Sequence, residues 1–178
     1  MKSLWMGIIK LQKKILKKLC RNVDVGNICS IEREKDATIK KGRGDKDNMQ
    51  SEQKKGGRID LLIETTNAYI VIENKIKSDI NRKKDDQDDE NQLDRYRNYV
   101  EFLNKDKGKQ CFYFVLAPDY NMPDSNELKG YTPLPYSTLV GNDNGNEGVL
   151  KEYNKNHEDE NLWSAFYLAM KRHSYGSE

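Results

Sequence analysis

Two carboxylates and a lysine occur at positions where they could do chemistry together. Asp60 lies inside one apolar segment, while Glu73 and Lys75 close the next one, with a single residue between them. Charged side chains at the ends of buried segments are costly unless a metal ion or mutual pairing compensates them. Carboxylate oxygens are ligands that hard divalent cations prefer, and a lysine beside such a cation can contact a phosphate. These residue types therefore indicate a site for a divalent metal and a phosphate group.

Two segments that must position these residues have the character of strands. Gly57–Glu64 and Ala68–Ile76 are both rich in apolar and β-branched residues, a composition typical of strands. Thr65-Thr66-Asn67 between them suits a short hairpin turn. Because side chains alternate along a strand, Glu73 and Lys75 are expected to share one face. The hairpin would bring all three charged residues to one edge of a sheet.

A third motif follows in the chain and completes an ordered set. The three pieces are R-I-D at residues 58–60, I-E-N-K at 72–75 and Q-L-x-R-Y at 92–96. Together they resemble the PD-(D/E)xK nuclease superfamily, and within it the group that carries these three motifs. An E-x-K triplet alone is a weak signal in a chain this rich in lysine and glutamate. The resemblance rests on the order of the set and on the apolar pattern within each piece.

The expected chemistry is hydrolysis of a phosphodiester bond. Asp60 and Glu73 can each supply a carboxylate to Mg²⁺, and the backbone carbonyl of Asn74 can supply a third oxygen; Mn²⁺ can substitute. A bound metal lowers the pKa of its water and offsets charge on the phosphate. Lys75 beside it can orient or deprotonate the attacking water, or stabilise negative charge.

Further residues are candidates for contacts with the metal, the nucleophile or the phosphate. Gln92 and Tyr96 are four apart and so share a helix face. In proteins that resemble this one, that face borders the metal and touches the nucleophile or the phosphate, although Tyr96 could equally be a core tyrosine. Arg58 and Arg95 could contact phosphate, but isolated arginines beside a strand or on a helix are more often solvated or paired.

The first helix, predicted over residues 3–21, has an apolar stripe and a basic opposite face that contains no acid. We expect this helix to pack on the sheet with its polar face in solvent. The alternative is that Lys13, Lys14 and Lys17 meet the phosphate backbone of a nucleic acid. The resemblance also implies another acid on this helix, and Met1–Arg21 contains none.

Length and composition limit the number of domains, the partners and the cellular location that we expect. The chain has 178 residues, 34% of them charged and 35% hydrophobic, with a net charge of +2. This length predicts a single domain, and the small net charge gives no global signal for nucleic acid. Three cysteines without C-x-x-C spacing indicate free thiols in a reducing compartment. With no apolar stretch of membrane length and no signal peptide, we expect a cytoplasmic protein without membrane contact.

The remaining pattern predicts the order of elements. We expect mobile loops near residues 36–57 and 79–90. Both segments are charged and polar, and apolar residues do not recur in them with the period of a helix or strand. The other predicted elements are a first strand at Asn22–Glu34, a helix at Asn91–Leu103, a strand at Lys109–Ala117, an edge strand at Pro135–Val140 and a closing helix at Glu160–Arg172. The resemblance implies a restriction-endonuclease-like fold, an α/β three-layer sandwich whose central mixed β-sheet is flanked by helices.

Three functional hypotheses follow. The leading one is a magnesium-dependent nuclease that acts in defence or repair, on DNA rather than RNA, and a homodimer would suit a reaction that cuts both strands. The alternative is a catalytically weakened or inactive module with the same fold that binds nucleic acid or a protein partner, and the absent helix acid favours it. A third hypothesis treats Glu73 and Lys75 as a structural ion pair in a small interaction domain, but such pairs contribute little net stability.

Overall fold

A five-stranded mixed sheet forms the centre of the protein, with its strands in the spatial order β1-β2-β3-β4-β5. The computed structural model describes residues 15–39, 57–75, 91–142, 147–156 and 161–175. The first three strands run antiparallel to one another, while β4 is parallel to β3 and β5 is parallel to β4. Helices flank this sheet, so the predicted α/β restriction-endonuclease-like architecture is confirmed.

The elements alternate along the chain in a simple order. The strands are β1 (Ile28–Asp36), β2 (Arg58–Thr65), β3 (Ala68–Asn74), β4 (Gln110–Ala117) and β5 (Thr132–Pro135). The helices are α1 (residues 15–19), α2 (Gln92–Asn104), α3 (Tyr136–Val140), α4 (Lys151–Asn156) and α5 (Asn161–Tyr175), with one 3-10 turn at Asp119–Asn121.

The hairpin that joins β2 to β3 fixes the register on which the charged residues depend. Its turn is closed by Thr65, whose hydroxyl accepts a hydrogen bond from the backbone N–H of Ala68 at 2.9 Å. The register pairs Leu61 with Ile72. Asp60 and Glu73 are the next residues beyond this pair, and the backbone N–H of Asn74 donates to Asp60 Oδ2 at 2.8 Å, so the local hairpin brings the two carboxylates to the same end of the sheet.

Two cores sandwich the sheet. One face packs against α2, with a core that includes Leu62, Tyr69, Val71, Leu93, Tyr96 and Val100. The other face packs against α1, with a core that includes Leu16, Cys20, Ile63, Ile70, Phe114 and Leu134. Helix α2 begins where Asn91 caps it, its side chain accepting from the N–H of Asp94 at 3.0 Å.

Three sequence predictions are corrected by the structure. Pro135–Val140 is not an edge strand: the edge strand is β5, which ends at Pro135, and the next five residues form α3. Short apolar runs fit either a strand or a buried helix turn, and packing of Tyr136 and Val140 against Met170 of α5 selects the helix. Helix α4 was not predicted, and β1 begins later than the predicted Asn22–Glu34 strand.

The late start of β1 has a local cause. Arg21 and Asn22 have positive φ angles of 54° and 65° and end α1. The chain then wraps under the hairpin turn, where the carbonyls of Val25 and Asn27 accept hydrogen bonds from the N–H groups of Asn67 and Thr66. Ladder pairing with β2 begins only at Ile28.

Other predictions match the observed elements closely or concern residues outside the described ranges. The helix predicted at Asn91–Leu103 and the strand predicted at Lys109–Ala117 match α2 and β4 within one residue at each end, and all three cysteines are free thiols. Most of the two predicted loops falls at residues 40–56 and 76–90, outside the described residues, as does the first helix before residue 15. None of the helices in the described ranges is long and apolar enough to cross a membrane.

A cluster of ionic hydrogen bonds ties β2 to the start of β4, at the end of the sheet away from Asp60. Glu64 Oε1 accepts from Lys109 Nζ at 2.7 Å, from Lys107 Nζ at 3.0 Å and from the Tyr69 hydroxyl at 3.1 Å. These bonds, led by that from Lys109, lower the pKa of Glu64 to about 2 from an ordinary value of 4.5. The cluster therefore stabilises the fold wherever Glu64 is ionised.

We predict that Glu64→Gln destabilises the protein at neutral pH by about 1.5 kcal/mol, the low end for hydrogen bonds to a charged group. Because the folded pKa is depressed, this contribution is complete above pH 4.5 and is lost as the pH falls towards 2. Urea denaturation of both proteins at pH 7 and pH 3 is the measurement. A stability difference that stays constant between the two pH values would contradict the assignment.

Candidate active site

Glu73 and Lys75 form an ion pair that is almost fully withdrawn from water. The distance between Lys75 Nζ and Glu73 Oε1 is 2.7 Å. Lys75 is 4% exposed and Glu73 is 2% exposed. Both belong to the sheet face that α2 covers, which is the alternation the sequence predicted. Such burial needs further polar contacts to be tolerated, and α2 provides them.

Gln92 joins the ion pair to the helix. Its Oε1 accepts from Lys75 Nζ at 3.0 Å, and its Nε2 donates to Glu73 Oε1 at 3.0 Å and to the Tyr96 hydroxyl at 2.6 Å. The hydroxyl of Tyr96 in turn donates to the carbonyl oxygen of Arg58 at 2.5 Å. Both ends of the Gln92 amide are engaged, so the network fixes the rotamer of Gln92 and the position of α2 against β2 and β3.

Tyr96 is both a core residue and a member of this network. It is 1% exposed, and burial raises the pKa of its phenol above the ordinary value of 10.0. The phenol therefore stays protonated and acts as a hydrogen-bond donor. The two interpretations of Tyr96 offered by the sequence, a core tyrosine and a site residue, are compatible in this geometry.

Asp60 is held at the edge of the same cluster. Its Oδ2 accepts from the backbone N–H of Asn74 at 2.8 Å. Asp60 is half-buried, in contrast to Glu73, and its charge is close enough to oppose ionisation of Glu73. The hairpin and this hydrogen bond bring the two carboxylates close together at one end of the sheet.

The peptide after Asn74 is oriented by β4. The backbone N–H of Lys75 donates to the carbonyl oxygen of Leu116 at 2.7 Å. In a trans peptide the preceding carbonyl points the opposite way from this N–H, so the carbonyl of Asn74 is directed away from β4 and towards the side of the strand where β2 and Asp60 lie. The role of this carbonyl as a third oxygen ligand stays a prediction.

One oxygen of Glu73 points to what the site could bind. Glu73 Oε2 is buried and has no hydrogen-bond partner among the described residues. Burial raises the pKa of this carboxyl and the charge of Asp60 adds to the rise, while the ion pair with Lys75 and a weaker contact with the backbone of Asp60 oppose it. A divalent cation would satisfy this oxygen and offset both carboxylates, so Asp60, Glu73 and the Asn74 carbonyl fit a Mg²⁺ or Mn²⁺ site.

The described residues supply few acids to this site. In the part of the chain that the structure describes, no group of three or more histidine, cysteine, aspartate or glutamate side chains could hold a metal ion. Glu32 and Glu34 of β1 are engaged elsewhere, Glu32 with Lys35 at 2.6 Å and Glu34 with Arg58 at 3.4 Å. Within the described residues, the donor set is therefore two carboxylates and backbone oxygens, with water available to complete it.

Of the basic residues predicted to contact nucleic acid, the two that the structure describes do not gather at this cluster. The side chain of Arg58 is 69% exposed and pairs with Glu34, while its backbone carbonyl holds Tyr96. Lys17 is exposed on α1, which packs on the opposite face of the sheet. Lys13 and Lys14 lie outside the described residues.

Sequence reasoning missed Tyr136 as a neighbour of the site. Its hydroxyl donates to the Asn74 side-chain oxygen at 3.3 Å, and Tyr136 is 5% exposed. Asn74 thus contacts Asp60 through its backbone and α3 through its side chain. No local motif marks Tyr136, because the contact depends on how α3 follows β5.

Comparison with known proteins agrees with this arrangement. A family model described as the PD-(D/E)XK nuclease superfamily matches residues 9–171. Comparison with curated proteins and with solved structures gives no match.

We predict that Asp60→Asn and Glu73→Gln each remove Mn²⁺ binding while the protein stays folded, because both changes keep side-chain shape and delete a ligand charge. Affinity should fall by more than the ~10–100-fold that loss of an outer partner costs metal sites. Calorimetric titration with Mn²⁺ measures this, with Glu64→Gln as the matched carboxylate control at the other end of the sheet. Wild-type affinity in either site variant would refute the ligand assignment.

Proposed function

The chain belongs to the PD-(D/E)XK nuclease superfamily, and from that premise we propose that it is a metal-dependent nuclease. It hydrolyses phosphodiester bonds in nucleic acid, with DNA as the favoured substrate and Mg²⁺ as the favoured metal. The observation that carries the proposal is the buried Glu73 carboxylate: one oxygen contacts Lys75 and Gln92, and the other has no hydrogen-bond partner among the described residues.

The burial of this carboxylate supports catalysis over a structural role. A structural ion pair gains most when every lone pair is satisfied, because desolvation otherwise exceeds the Coulombic gain. In the part of the chain that the structure describes, one oxygen of Glu73 instead lacks a hydrogen-bond partner, and the charge of the nearby Asp60 carboxylate makes ionisation of Glu73 harder. Such an electrostatic cost is expected where a cation is bound, because the cation would offset it.

Each residue of the cluster has a distinct role in the proposed reaction. A metal held by Asp60, Glu73 and the Asn74 carbonyl would activate water and offset phosphate charge. The ammonium of Lys75 lies at the same carboxylate, where it can hold the attacking water or stabilise the developing charge on the phosphate. Gln92 holds Lys75 and Glu73 in one geometry, and Tyr96 holds Gln92 against the backbone of β2.

A second function has one specific observation in its favour. Two carboxylates are few for a hydrolytic metal site, and the described residues offer no third acid nearby. The alternative is therefore a weakened or inactive member of the superfamily that binds nucleic acid or a protein partner. Cleavage of DNA and RNA strands with Mg²⁺ and with Mn²⁺ separates the two functions, and the absence of cleavage of either polymer in both metals would reject the nuclease.

We predict that Lys75→Met lowers the cleavage rate by about 10²–10³-fold, the size of a lost transition-state contact, while Mn²⁺ binding persists. Methionine keeps the length of the buried stem and removes the charge. The matched control is Lys109→Met, which breaks the Lys109–Glu64 pair at 2.7 Å at the other end of the sheet and should cost stability only. Equal cleavage rates in Lys75→Met and wild type would refute the mechanism.

A further inference from the structure

A second charged feature lies on the α1 side of the sheet. It is an open cavity of about 270 Å³ between α1 and the segment that leads into α4. Three lysines line it, Lys18 from α1 and Lys151 and Lys155 from α4, together with one carboxylate, Glu147. Ile15 and Val149 contribute apolar surface, so the cavity combines cationic groups with an apolar wall.

The electrostatics of this cavity are positive. Lys151 donates to Glu147, and this hydrogen bond lowers the pKa of the Glu147 carboxyl, with smaller contributions from Lys155 and Lys18. The carboxylate therefore stays ionised and orients one lysine. With three lysines and one glutamate, the lining has a formal charge of +2, although the whole chain has only +2.

The shape of the cavity depends on a close backbone approach. Gly148 has a φ of 67°, and a Cβ at this position would lie 2.3 Å from the Gly141 nitrogen and 2.6 Å from the Leu139 oxygen. The N–H groups of Val149 and Leu150 then donate to the carbonyls of Thr138 and Leu139. The segment that carries Glu147 is thus fixed to the end of α3.

The same short helix connects the cavity to the candidate active site. Tyr136, the first residue of α3, contacts Asn74 of the site, and the last residues of α3 contact Gly148 of the cavity. A helix of five residues is about 7.5 Å long. The cavity therefore lies about 7.5 Å, the length of α3, from the end of α3 that touches the site.

We infer that this cavity binds the phosphate backbone of the nucleic acid strand that the site cleaves. The inference rests on the proposed function, and it adds a contact surface on the face of the sheet opposite α2. A positive cavity with an apolar wall suits a sugar-phosphate chain, since lysines contact phosphates without reading sequence. Lys18 and Lys155 are the exposed cations available to the strand, because Lys151 is engaged by Glu147.

The experiment measures binding in EDTA, so that no strand is cut, by fluorescence anisotropy on short duplex and single-stranded DNA across a range of salt concentrations. Lys18→Gln and Lys155→Gln should each weaken binding and reduce the slope of log affinity against log salt by about 0.9 on duplex or about 0.7 on single strands. Glu147→Gln should strengthen binding. The matched controls, Lys105→Gln and Glu101→Gln, change the same charges at exposed positions near the end of α2 and should leave the slope unchanged.

The outcomes separate this inference from the proposed function. Unchanged slopes in both lysine variants, or changes equal to those of the controls, would overturn the cavity assignment even if the wild-type protein cleaves DNA. Inorganic phosphate that binds the cavity without competing with DNA would show a site for a free anion and would also overturn it. DNA binding that depends on the cavity, in a protein that cleaves no nucleic acid with Mg²⁺ or Mn²⁺, would support the cavity and reject the nuclease.

Discussion

The desolvation of Glu73 is the constraint on which the rest of this structure depends. A carboxylate that is 2% exposed can stay charged only if other groups replace its lost water. Lys75 supplies the opposite charge, Gln92 supplies a neutral donor, and Tyr96 fixes Gln92 by bonding to the backbone of β2. The packing of α2 on the sheet is therefore inseparable from the electrostatics of one carboxyl group.

The Glu73 carboxylate differs from that of Glu64, another glutamate of the sheet that pairs with lysine. Glu64 at the other end of the sheet also pairs with lysine, but it retains 26% side-chain exposure and has a depressed pKa. Glu73 has a raised pKa although it also has a lysine partner. The difference is burial: solvent still reaches Glu64, whereas α2 and the sheet exclude it from Glu73. Two Glu–Lys pairs in one sheet thus have opposite pKa shifts, lowered for Glu64 and raised for Glu73, because their burial differs.

Local patterns in the sequence were enough to predict the β2–β3 hairpin and α2. The alternation in β3 placed Glu73 and Lys75 on one face, and the four-residue spacing of Gln92 and Tyr96 placed both on one side of a helix. Such patterns did not predict α3, because a five-residue apolar run takes its conformation from what it packs against. They also missed the contact between Tyr136 and Asn74, which depends on the parallel pairing of β4 and β5. The cavity at Lys18 and Lys155 unites residues far apart in the chain that no motif connects.

The mixed topology of the sheet has a kinetic consequence. The two carboxylates meet through a hairpin with a two-residue turn, and contacts of such short range form early in folding. Gln92 reaches them only when the chain has crossed from β3 to the parallel strand β4, which closes a much longer loop and is correspondingly slow. We expect the nascent chain to bring its negative charges together first and to acquire the amide that organises them only at a later stage. In that interval Asp60 and Glu73 are still hydrated, so their mutual repulsion is weak when the hairpin forms.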